Sequence, residues 1–443
     1  MNTPSPAWNT LAIQSLGECK VDNPLPYCRF ISDSTILRMN VPEEDLPEPT
    51  DELVYCDFQM AGPRQKIYFD PSKVKCAIVT CGGLCPGIND VIRSIVMEAF
   101  HNYNIASCVG IRYGLQGFIP KFHHDVMELT PRSVADIHQF GGTILGSSRG
   151  PQPMDEIVDA LERMNVNILF VIGGDGTMRA AQAIQKEVAS RGRRIGVIGI
   201  PKTIDNDINF VSKSFGFDTA VEKATEAIDC AHTEALGAFN GIGLVKLMGR
   251  EAGFIAAQAT LALKEVNFVL VPEQRFALEG EHGLLPALER RLQSRQHAVI
   301  VAAEGAGQDI TGQSGAKDAS GNVKLGDISD VLITHMKRYF AARGMPISIK
   351  YIDPSYIIRS VPANSNDRVY CGFLGQHSVH AAMAGKTGMV VSRMQDRYVH
   401  LPMELVTDKR KRLNVRSDYW RSVLESTGQD PNTNVFRDPS CQS

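Results

Sequence analysis

The sequence predicts an α/β protein made of two doubly wound lobes behind an N-terminal extension. Short apolar runs of strand length alternate with longer stretches of helical character, a pattern typical of a largely parallel sheet. The alternation occurs in two successive series, and glycine or charged clusters follow the strands. The chain has 443 residues, of which 43% are hydrophobic and 21% charged, enough to bury a large core. These observations favour two Rossmann-like lobes.

The charge balance excludes a broad nucleic-acid surface. There are 46 Lys+Arg against 49 Asp+Glu, a formal net charge of −3, whereas binding to nucleic acid backbones needs a basic field. An anion must therefore be bound locally, and glycine loops among the 38 glycines let the backbone approach a phosphate. We expect no nucleic-acid partner and no membrane span. Ten cysteines without zinc-like spacing, and no visible signal segment, predict free thiols in the cytoplasm.

The elements follow one another in a regular order. Residues 1–70 are rich in proline and acidic residues and lack an apolar period, so we interpret them as an extension that lies over the folded body or contacts another subunit. The predicted strands after it are 74–80, 167–172, 195–200, 241–247, 267–273 and the apolar start of 297–307. Helical patterns follow the first two strands, at 91–100 and 178–190. The polar stretch 307–322 predicts a surface loop, and the tail after about 425 predicts poor order.

Three glycine loops predict a phosphate site in the first series. The run GGDGT at 173–177 follows a strand and opens a helix, so its amides can face a polyphosphate. Asp175 is then placed to reach a phosphate-bound Mg²⁺. The alternative is a tight turn in which Asp175 only caps the helix. Two more loops, 82–83 and 141–149, favour the phosphate interpretation, although Arg149 at the end of the latter is also explained as a solvated surface arginine.

The run PKTIDND at 201–207 carries two carboxylates at the end of a strand. In extended backbone, Asp205 and Asp207 point to the same side, and such a pair is unfavourable unless a cation, a metal or a shared proton compensates. A surface Asx-turn is the alternative. In the functional interpretation, one aspartate removes the proton from an attacking hydroxyl and the other orients it or helps to hold the metal.

The second series supplies cations. Met248-Gly249-Arg250 is predicted to begin a helix after strand 241–247, and Glu304 ends another strand. The run 356–359 ends in Arg359, which with Arg368 forms a pair of guanidinium groups suited to a phosphomonoester. Each residue alone is also explained as a structural ion-pair partner. Together they predict a site with a sugar phosphate at one end and a polyphosphate at the other.

Eight motifs in chain order resemble the 6-phosphofructokinase family over about three quarters of the chain. They are TCGGLCPGINDVIRS, GGTILGSSRG, GGDGT, PKTIDND, KLMGREAGF, PEQRF, AAEGAG and YIDPSYIIRSVPANSND. The extension and the GPRQKIYFDPS segment resemble the plant and trypanosomatid ATP-dependent branch. The resemblance implies the phosphofructokinase fold, with 71–216 plus 367–405 as the nucleotide-binding lobe, 217–366 as the sugar-phosphate-binding lobe and 406–443 as a C-terminal segment and tail.

The resemblance also implies a reaction and its residues. The γ-phosphoryl group of ATP would pass, with Mg²⁺, to the 1-hydroxyl of fructose 6-phosphate in a glycolytic, allosteric homotetramer. Asp205 would accept the proton beside Thr203 and Asp207, and Arg250 would stabilise the transferring group. The nucleotide and metal site would comprise Gly82, Arg149, Gly150, Gly174, Asp175 as the Mg²⁺ ligand, Gly176, Thr177 and Lys202. The sugar phosphate would contact Thr203, Ile204, Asp205, Met248, Gly249, Arg250, Glu304, Tyr356, Ile357, Ile358 and Arg359.

Two departures from the family pattern bear on the substrates. Lys202 replaces the glycine of bacterial ATP enzymes and also occurs in the pyrophosphate-dependent branch, yet that branch has an aspartate at the position of Gly176, where it would crowd the α-phosphate. ATP is therefore favoured, with pyrophosphate as the alternative donor. Gly241 stands where bacterial relatives have a phosphate-binding arginine, so the 6-phosphate must rely on Arg359 and Arg368.

Two other classes of protein share part of this motif pattern. An NAD or lipid kinase also uses a GGDGT loop, but it predicts neither PKTIDND nor MGR, and both are present. A catalytically silent regulatory subunit should have lost Asp205 or Arg250, and neither is lost.

Overall fold

The structure is a computed structural model that describes residues 12–26, 29–40, 55–312 and 323–429. Its residues group into two compact units. The first unit consists of Met1–Thr203, Ile208–Gly216 and Ser360–Arg410. The second consists of Ile204–Asp207, Phe217–Arg359 and Lys411–Ser443.

The described residues form strands and helices throughout both units. The strands are β1 Gln14–Ser15, β2 Val21–Asp22, β3 Ile36–Asn40, β4 Tyr55–Met60, β5 Lys66–Ile67, β6 Lys75–Thr80, β7 Ser107–Ile111, β8 Val126–Glu128, β9 Ile168–Gly173, β10 Gly196–Pro201, β11 Gly241–Leu247, β12 Phe268–Leu270, β13 His297–Ala303, β14 Ser348–Ile352, β15 Lys386–Thr387, β16 Met389–Met394 and β17 Arg397–Pro402. The α-helices are α1 Ile88–Met97, α2 Met154–Arg163, α3 Asp175–Ser190, α4 Phe217–Leu236, α5 Phe254–Leu263, α6 Leu284–Arg295, α7 Ile328–Ala341, α8 Ile357–Ser360, α9 Ser365–Met383, α10 Met403–Thr407 and α11 Asp418–Thr427.

The first unit is built on a large sheet with the strand order β3-β4-β17-β16-β10-β9-β6-β7-β8 among the described residues. Its centre, β16-β10-β9-β6-β7, is parallel, and antiparallel strands lie at both edges. All six residues of β9 are buried, as expected for a strand covered on both faces. β7 lies on one side of β6 and β9 lies on the other. The direction in which successive strands join the sheet therefore reverses between β6 and β9. Ligands of doubly wound sheets bind beyond the carboxyl ends of strands at such a point.

The second unit contains a parallel sheet of order β12-β13-β11-β14. Helix α4 packs closely against β11, and a Cβ atom added at Gly241 would lie 2.0 Å from the carbonyl oxygen of Ala235. At Gly243 the same atom would lie 2.7 Å from the carbonyl oxygen of Ala231. This part of β11 therefore needs glycine for helix packing, and an arginine at 241 would displace α4.

The predicted fold class is confirmed, and the predicted strands lie within a few residues of the observed ones. One local prediction is wrong. The helix expected from Met248 begins only at Phe254, because Gly249 has φ 129°, outside the helical region. Within the extension, which the sequence predicts to lie over the folded body or to contact another subunit, β3 and β4 join the edge of the large sheet. In β4, Cys56 and Phe58 are buried between exposed neighbours, an alternation that marks a half-buried strand.

Other predictions fall partly outside the described residues. These are the acidic stretch 42–52, most of the polar loop 307–322, and the tail beyond 429. The tail nevertheless contributes the end of α11, which runs to Thr427. The division into a nucleotide lobe and a sugar-phosphate lobe stays a prediction, and the compact units have different bounds, with 360–366 in the first and 411–429 in the second. Among the described residues, no helix is long and apolar enough to cross a membrane.

Candidate active site

The three glycine loops of the first unit meet at the carboxyl ends of β6 and β9. Gly82, which has φ 85°, donates its N–H to the carbonyl of Ser148 over 3.1 Å, and the hydroxyl of Ser147 donates to the carbonyl of Gly82 over 2.7 Å. These two bonds join the loop after β6 to the loop at 141–150. The predicted convergence of these loops is therefore present in the backbone geometry.

Lys202 connects the loop after β6 to the loop after β9. Its ammonium group donates to the carbonyl of Gly83 over 2.7 Å, and its backbone N–H donates to the carbonyl of Gly173 over 2.9 Å. The side chain is buried, with 5% exposure. A buried cation between two glycine loops gives the phosphate site a fixed positive charge.

Asp175 is the first residue of α3, and the position that caps the helix is Gly174. Its Oδ2 atom accepts from Nε of Arg179 over 3.2 Å and lies 3.6 Å from Nε of Arg410. Its Oδ1 atom is buried and has no hydrogen-bond partner among the described residues. Buried polar atoms normally have a partner, and a carboxylate oxygen is a preferred Mg²⁺ ligand. Asp175 therefore offers one carboxylate oxygen to a phosphate-bound Mg²⁺, whereas no group of three or more His, Cys, Asp or Glu side chains among the described residues could hold a metal ion without a ligand.

The glycines of the GGDGT loop have different surroundings. A Cβ atom at Gly173 would lie 2.4 Å from the side chain of Thr177, so the fold itself requires glycine there. At Gly176 a Cβ atom would have no neighbour within 4 Å among the described residues. Packing within the chain does not explain this second glycine, which leaves open space in front of the loop. Arg149 is exposed, and Gly150 has φ 93°.

The carboxylate loop is divided between the units. Thr203 belongs to the first unit, where its carbonyl accepts the hydroxyl of Ser214 over 2.6 Å. Ile204–Asp207 belongs to the second unit. Asn206, between the two aspartates, is buried and has φ 55°. Its side-chain oxygen accepts from Nζ of Lys411 over 3.1 Å. The side chain of Ile204 is only 5% exposed, which leaves chiefly its backbone for substrate contact.

In the second unit, the loops after β11 and β13 lie side by side. The N–H of Glu304 donates to the carbonyl of Leu247 over 2.8 Å, and that of Gly305 donates to Gly249 over 3.1 Å. A Cβ atom at Gly305 would lie 1.9 Å from the carbonyl oxygen of Arg250. This close approach places the predicted residues Met248, Gly249, Arg250 and Glu304 in one cluster.

Charges converge on Glu304. Burial raises the pKa of its carboxyl group, while Arg250, Lys246 and Arg359 act to lower it. Lys246 lies 3.0 Å from Oδ2 of Asp327 and 3.2 Å from Oδ2 of Asp353. Burial acts to lower the pKa of Lys246, but its hydrogen bonds outweigh burial and raise it. The cluster thus combines a half-buried carboxyl group with two arginines and a lysine, which suits a phosphorylated sugar.

The side chains of residues 356–359 differ in their exposure to solvent. The guanidinium carbon of Arg359 lies 5.0 Å from the centre of the Tyr356 ring. Tyr356 and Ile357 are exposed, whereas Ile358 is fully buried. The side chain of Ile358 therefore belongs to the core, and only its backbone is available to a substrate. Arg250 also donates through Nη2 to the carbonyl of Val323.

Arg368 lies beside a cavity of the first unit. It lies on α9, donates to the carbonyl of Ala363 over 2.8 Å and lines a cavity of about 430 Å³ between α1 and α9. Burial raises the pKa of Asp90 in this cavity, and Arg368 opposes the rise. Its pairing with Arg359 stays a prediction.

Sequence reasoning assigned no role to Lys246, Arg410 and Lys411, which act on Glu304, Asp175 and Asp207 respectively, or to Glu273, which accepts the N–H of Gly253. Lys246 and Glu273 lie inside recognised motifs, and their partners come from distant segments. Arg410 and Lys411 lie in the charged run TDKRKR, which is typical of a solvated surface. Local sequence carried no signal for these contacts.

Converging glycine loops, a buried lysine and a helix-terminal aspartate, together with a cluster of arginines in a second α/β unit, define a phosphotransferase. Residues 75–382 match the family described as Phosphofructokinase, and the chain belongs to this family.

Similar proteins span nearly the whole chain. An ATP-dependent 6-phosphofructokinase from Borreliella burgdorferi is 48% identical over 94% of this chain and 96% of its own length. One from Amycolatopsis methanolica is 47% identical, with 95% of each chain covered. One from Trypanosoma cruzi is 45% identical over 86% of this chain and 79% of its own. A plant relative, ATP-dependent 6-phosphofructokinase 7 of Arabidopsis thaliana, is 47% identical over 84% of this chain and 77% of its own.

Solved structures share the fold. A pyrophosphate-dependent phosphofructokinase from Marinobacter aquaeolei superposes with a TM-score of 0.66 and 20% identity, over 82% of this chain and 94% of that one. A phosphofructokinase from Pichia pastoris gives a TM-score of 0.62 and 19% identity, over 89% of this chain and 40% of that one. At these identities the likeness concerns the fold alone.

Proposed function

We propose that this protein is an ATP-dependent 6-phosphofructokinase. It transfers the γ-phosphoryl group of ATP to the 1-hydroxyl of fructose 6-phosphate and yields fructose 1,6-bisphosphate and ADP, a step of glycolysis. The observation that carries the proposal is the 48% identity over 94% of the chain to a relative of that name. The intact PKTIDND and MGR motifs count against a GGDGT-type NAD or lipid kinase and against a silent subunit.

The chain's own residues supply positioning and charge neutralisation, which is most of what phosphoryl transfer requires. In the proposed mechanism, Asp205 accepts the proton of the sugar 1-hydroxyl, and Thr203 and Asp207 orient that hydroxyl. Arg250 stabilises the charge on the transferring phosphoryl group. Met248, Gly249, Glu304, Tyr356, Ile357, Ile358 and Arg359 bind the sugar phosphate, the isoleucine at 358 through its backbone. The convergence of Arg250 and Arg359 on Glu304 supports this assignment.

The glycine loops of the first unit would bind the nucleotide. We assign this role to Gly82, Arg149, Gly150, Gly174, Gly176, Thr177 and Lys202. Asp175 would hold Mg²⁺ through its buried Oδ1 atom, which has no partner among the described residues. Bound there, the metal would neutralise phosphate charge. Lys202 adds a second positive charge through its fixed position between the loops.

The choice of donor depends on Gly176 and Lys202. The open space at Gly176 leaves room for the α-phosphate of a nucleotide and supports ATP. Lys202 is shared with the pyrophosphate-dependent branch, which keeps pyrophosphate as the second candidate. The names of the 45–48% identical relatives favour ATP.

The test supplies purified protein with fructose 6-phosphate, Mg²⁺ and either ATP or pyrophosphate, and measures fructose 1,6-bisphosphate. We expect product from ATP. Product from pyrophosphate alone would overturn the donor assignment, and no product from either would overturn the function. By family analogy we also propose a cytoplasmic homotetramer, which sedimentation at assay concentration checks.

A further inference from the structure

A short C-terminal segment touches both loops that carry the proposed catalytic groups of the second unit. We call residues 411–413 the C-terminal strap. On one side, the backbone N–H of Lys411 donates to the carbonyl of Asp207 over 2.9 Å, and its ammonium group donates to Oδ1 of Asn206 over 3.1 Å. The strap is thus bound by a side-chain bond to Asn206, which lies between the two aspartates, and by a backbone bond to Asp207 itself.

On its other side, the strap is bound to the loop that carries Arg250. The N–H of Leu413 donates to Oε1 of Glu273 over 2.7 Å, and the same carboxylate accepts the N–H of Gly253 at 3.0 and 3.1 Å. Burial raises the pKa of Glu273, and these backbone donors oppose the rise. Nζ of Lys411 lies 5.2 Å from the ring centre of Phe254, the first residue of α5. Leu413 itself is buried.

Asn206 is the strained point of this arrangement. A non-glycine residue with positive φ lies in a sparsely populated region and keeps that conformation only where its surroundings fix it. The Lys411 ammonium group supplies a charge-assisted hydrogen bond to the Asn206 side chain. Because Asn206 separates Asp205 from Asp207, a change in its backbone angles would turn both carboxylates.

We propose that Lys411 is a positioning residue for phosphoryl transfer, which acts through Asn206 to hold Asp205 in its reactive orientation relative to the Arg250 loop. The inference rests on the proposed function. It concerns the side chain of Lys411, since the strap's backbone bonds to Asp207 and Glu273 do not depend on that side chain. A displacement of about 1 Å from the productive geometry costs roughly a hundredfold in rate.

The first experiment compares K411M, K411R and the control K337M, a lysine exposed on α7. Methionine keeps the alkyl stem and the backbone N–H of Lys411 and removes the charge. We expect K411M to lower kcat about tenfold to a hundredfold, with the KM for fructose 6-phosphate changed less than about threefold and Tm close to wild type. K411R should recover most of kcat, and K337M should match wild type. An unchanged kcat in K411M, or equal losses in K411M and K411R together with a lower Tm, would overturn the proposal.

The second experiment does not depend on activity. Hydrogen exchange measured by mass spectrometry should be faster in K411M than in wild type for a peptide covering 204–208, and unchanged in K337M. Equal exchange in K411M and wild type would contradict the positioning role. If wild type forms no product with either donor, the proposed function fails, whereas the exchange result still decides whether Lys411 holds the segment 204–208.

Discussion

The phosphate loops of the first unit and the charged cluster of the second unit are built in different ways. In the first unit, the phosphate loops are held mainly by backbone groups, such as the bond between Gly82 and Ser148. In the second unit, side-chain charges from separate segments surround Glu304. A site made of loop backbone is encoded in contiguous glycine motifs, while a site made of side-chain charges depends on which distant segments pack together.

Glycine also has different uses in the two units. A Cβ atom at Gly176 in the first unit would meet no neighbour within 4 Å in the part of the chain that the structure describes, so packing there does not account for this glycine. Gly241 in the second unit lies against a carbonyl oxygen of α4, so helix packing explains why glycine is needed there. A glycine in a motif can therefore serve helix packing or ligand binding, and the neighbours that a Cβ atom would meet distinguish the two roles.

The largest effect should come from the carboxylate loop of the second unit. We expect D205N to lower kcat about 10²- to 10⁴-fold, because an amide cannot accept the substrate proton. The control D309N, at an exposed position, should leave kcat unchanged. The measurement is steady-state kinetics with fructose 6-phosphate and MgATP. A full kcat with only a raised KM would assign Asp205 to substrate binding in place of proton transfer.

The next effect concerns the open glycine of the first unit. G176D should lower kcat/KM for ATP about a hundredfold, because the new carboxylate would repel a phosphate at close range. Its Tm should stay near that of wild type, since the new Cβ meets no neighbour within 4 Å among the described residues. The matched variant G176A adds no charge and should keep most ATP activity. Full ATP activity in G176D would show that the nucleotide does not approach this loop.

Substitution of Gly241 in the second unit should lower the stability of the fold, in contrast to substitution of Gly176. G241A places a Cβ atom 2.0 Å from the carbonyl oxygen of Ala235, so α4 must shift. We expect the free energy of unfolding to fall by about 2 kcal/mol, measured by urea denaturation, with G176A as the neutral control. Equal stability of the two alanine variants would remove the distinction between packing and binding glycines.

The same contrast explains what the sequence could and could not predict. The parallel strands and the three phosphate loops were predictable, because buried strands are contiguous apolar runs and the loops are contiguous glycine runs. Strand β4 was also encoded, in the alternation around Cys56 and Phe58, but the proline-rich surroundings obscured it. The helix expected at Met248 was wrong because a single glycine, Gly249, takes a backbone conformation that helices exclude.

The contacts of Lys246, Glu273 and Lys411 were not predictable from sequence. Lys411 meets Asn206 across 205 positions of the chain, and Glu273 meets Leu413 across 140. No local pattern specifies a pairing at such separations. The surroundings of Arg368 depended in the same way on the packing of α9 against α1, which only the fold determines.

The smallest expected effect is a pH dependence of stability in the charged cluster. Burial raises the pKa of Glu304 above its value of 4.5 in an unfolded chain. The folded state therefore binds this proton more tightly, and the stability gained below pH 4.5 is lost as pH rises through the folded pKa. E304Q cannot ionise, so its free energy of unfolding relative to wild type should rise between pH 4 and pH 7. Urea denaturation across this range measures the difference, and E281Q, at an exposed position, should show none. A difference that falls with pH would mean that Arg250, Lys246 and Arg359 outweigh burial at Glu304, so that the cluster favours the ionised carboxylate.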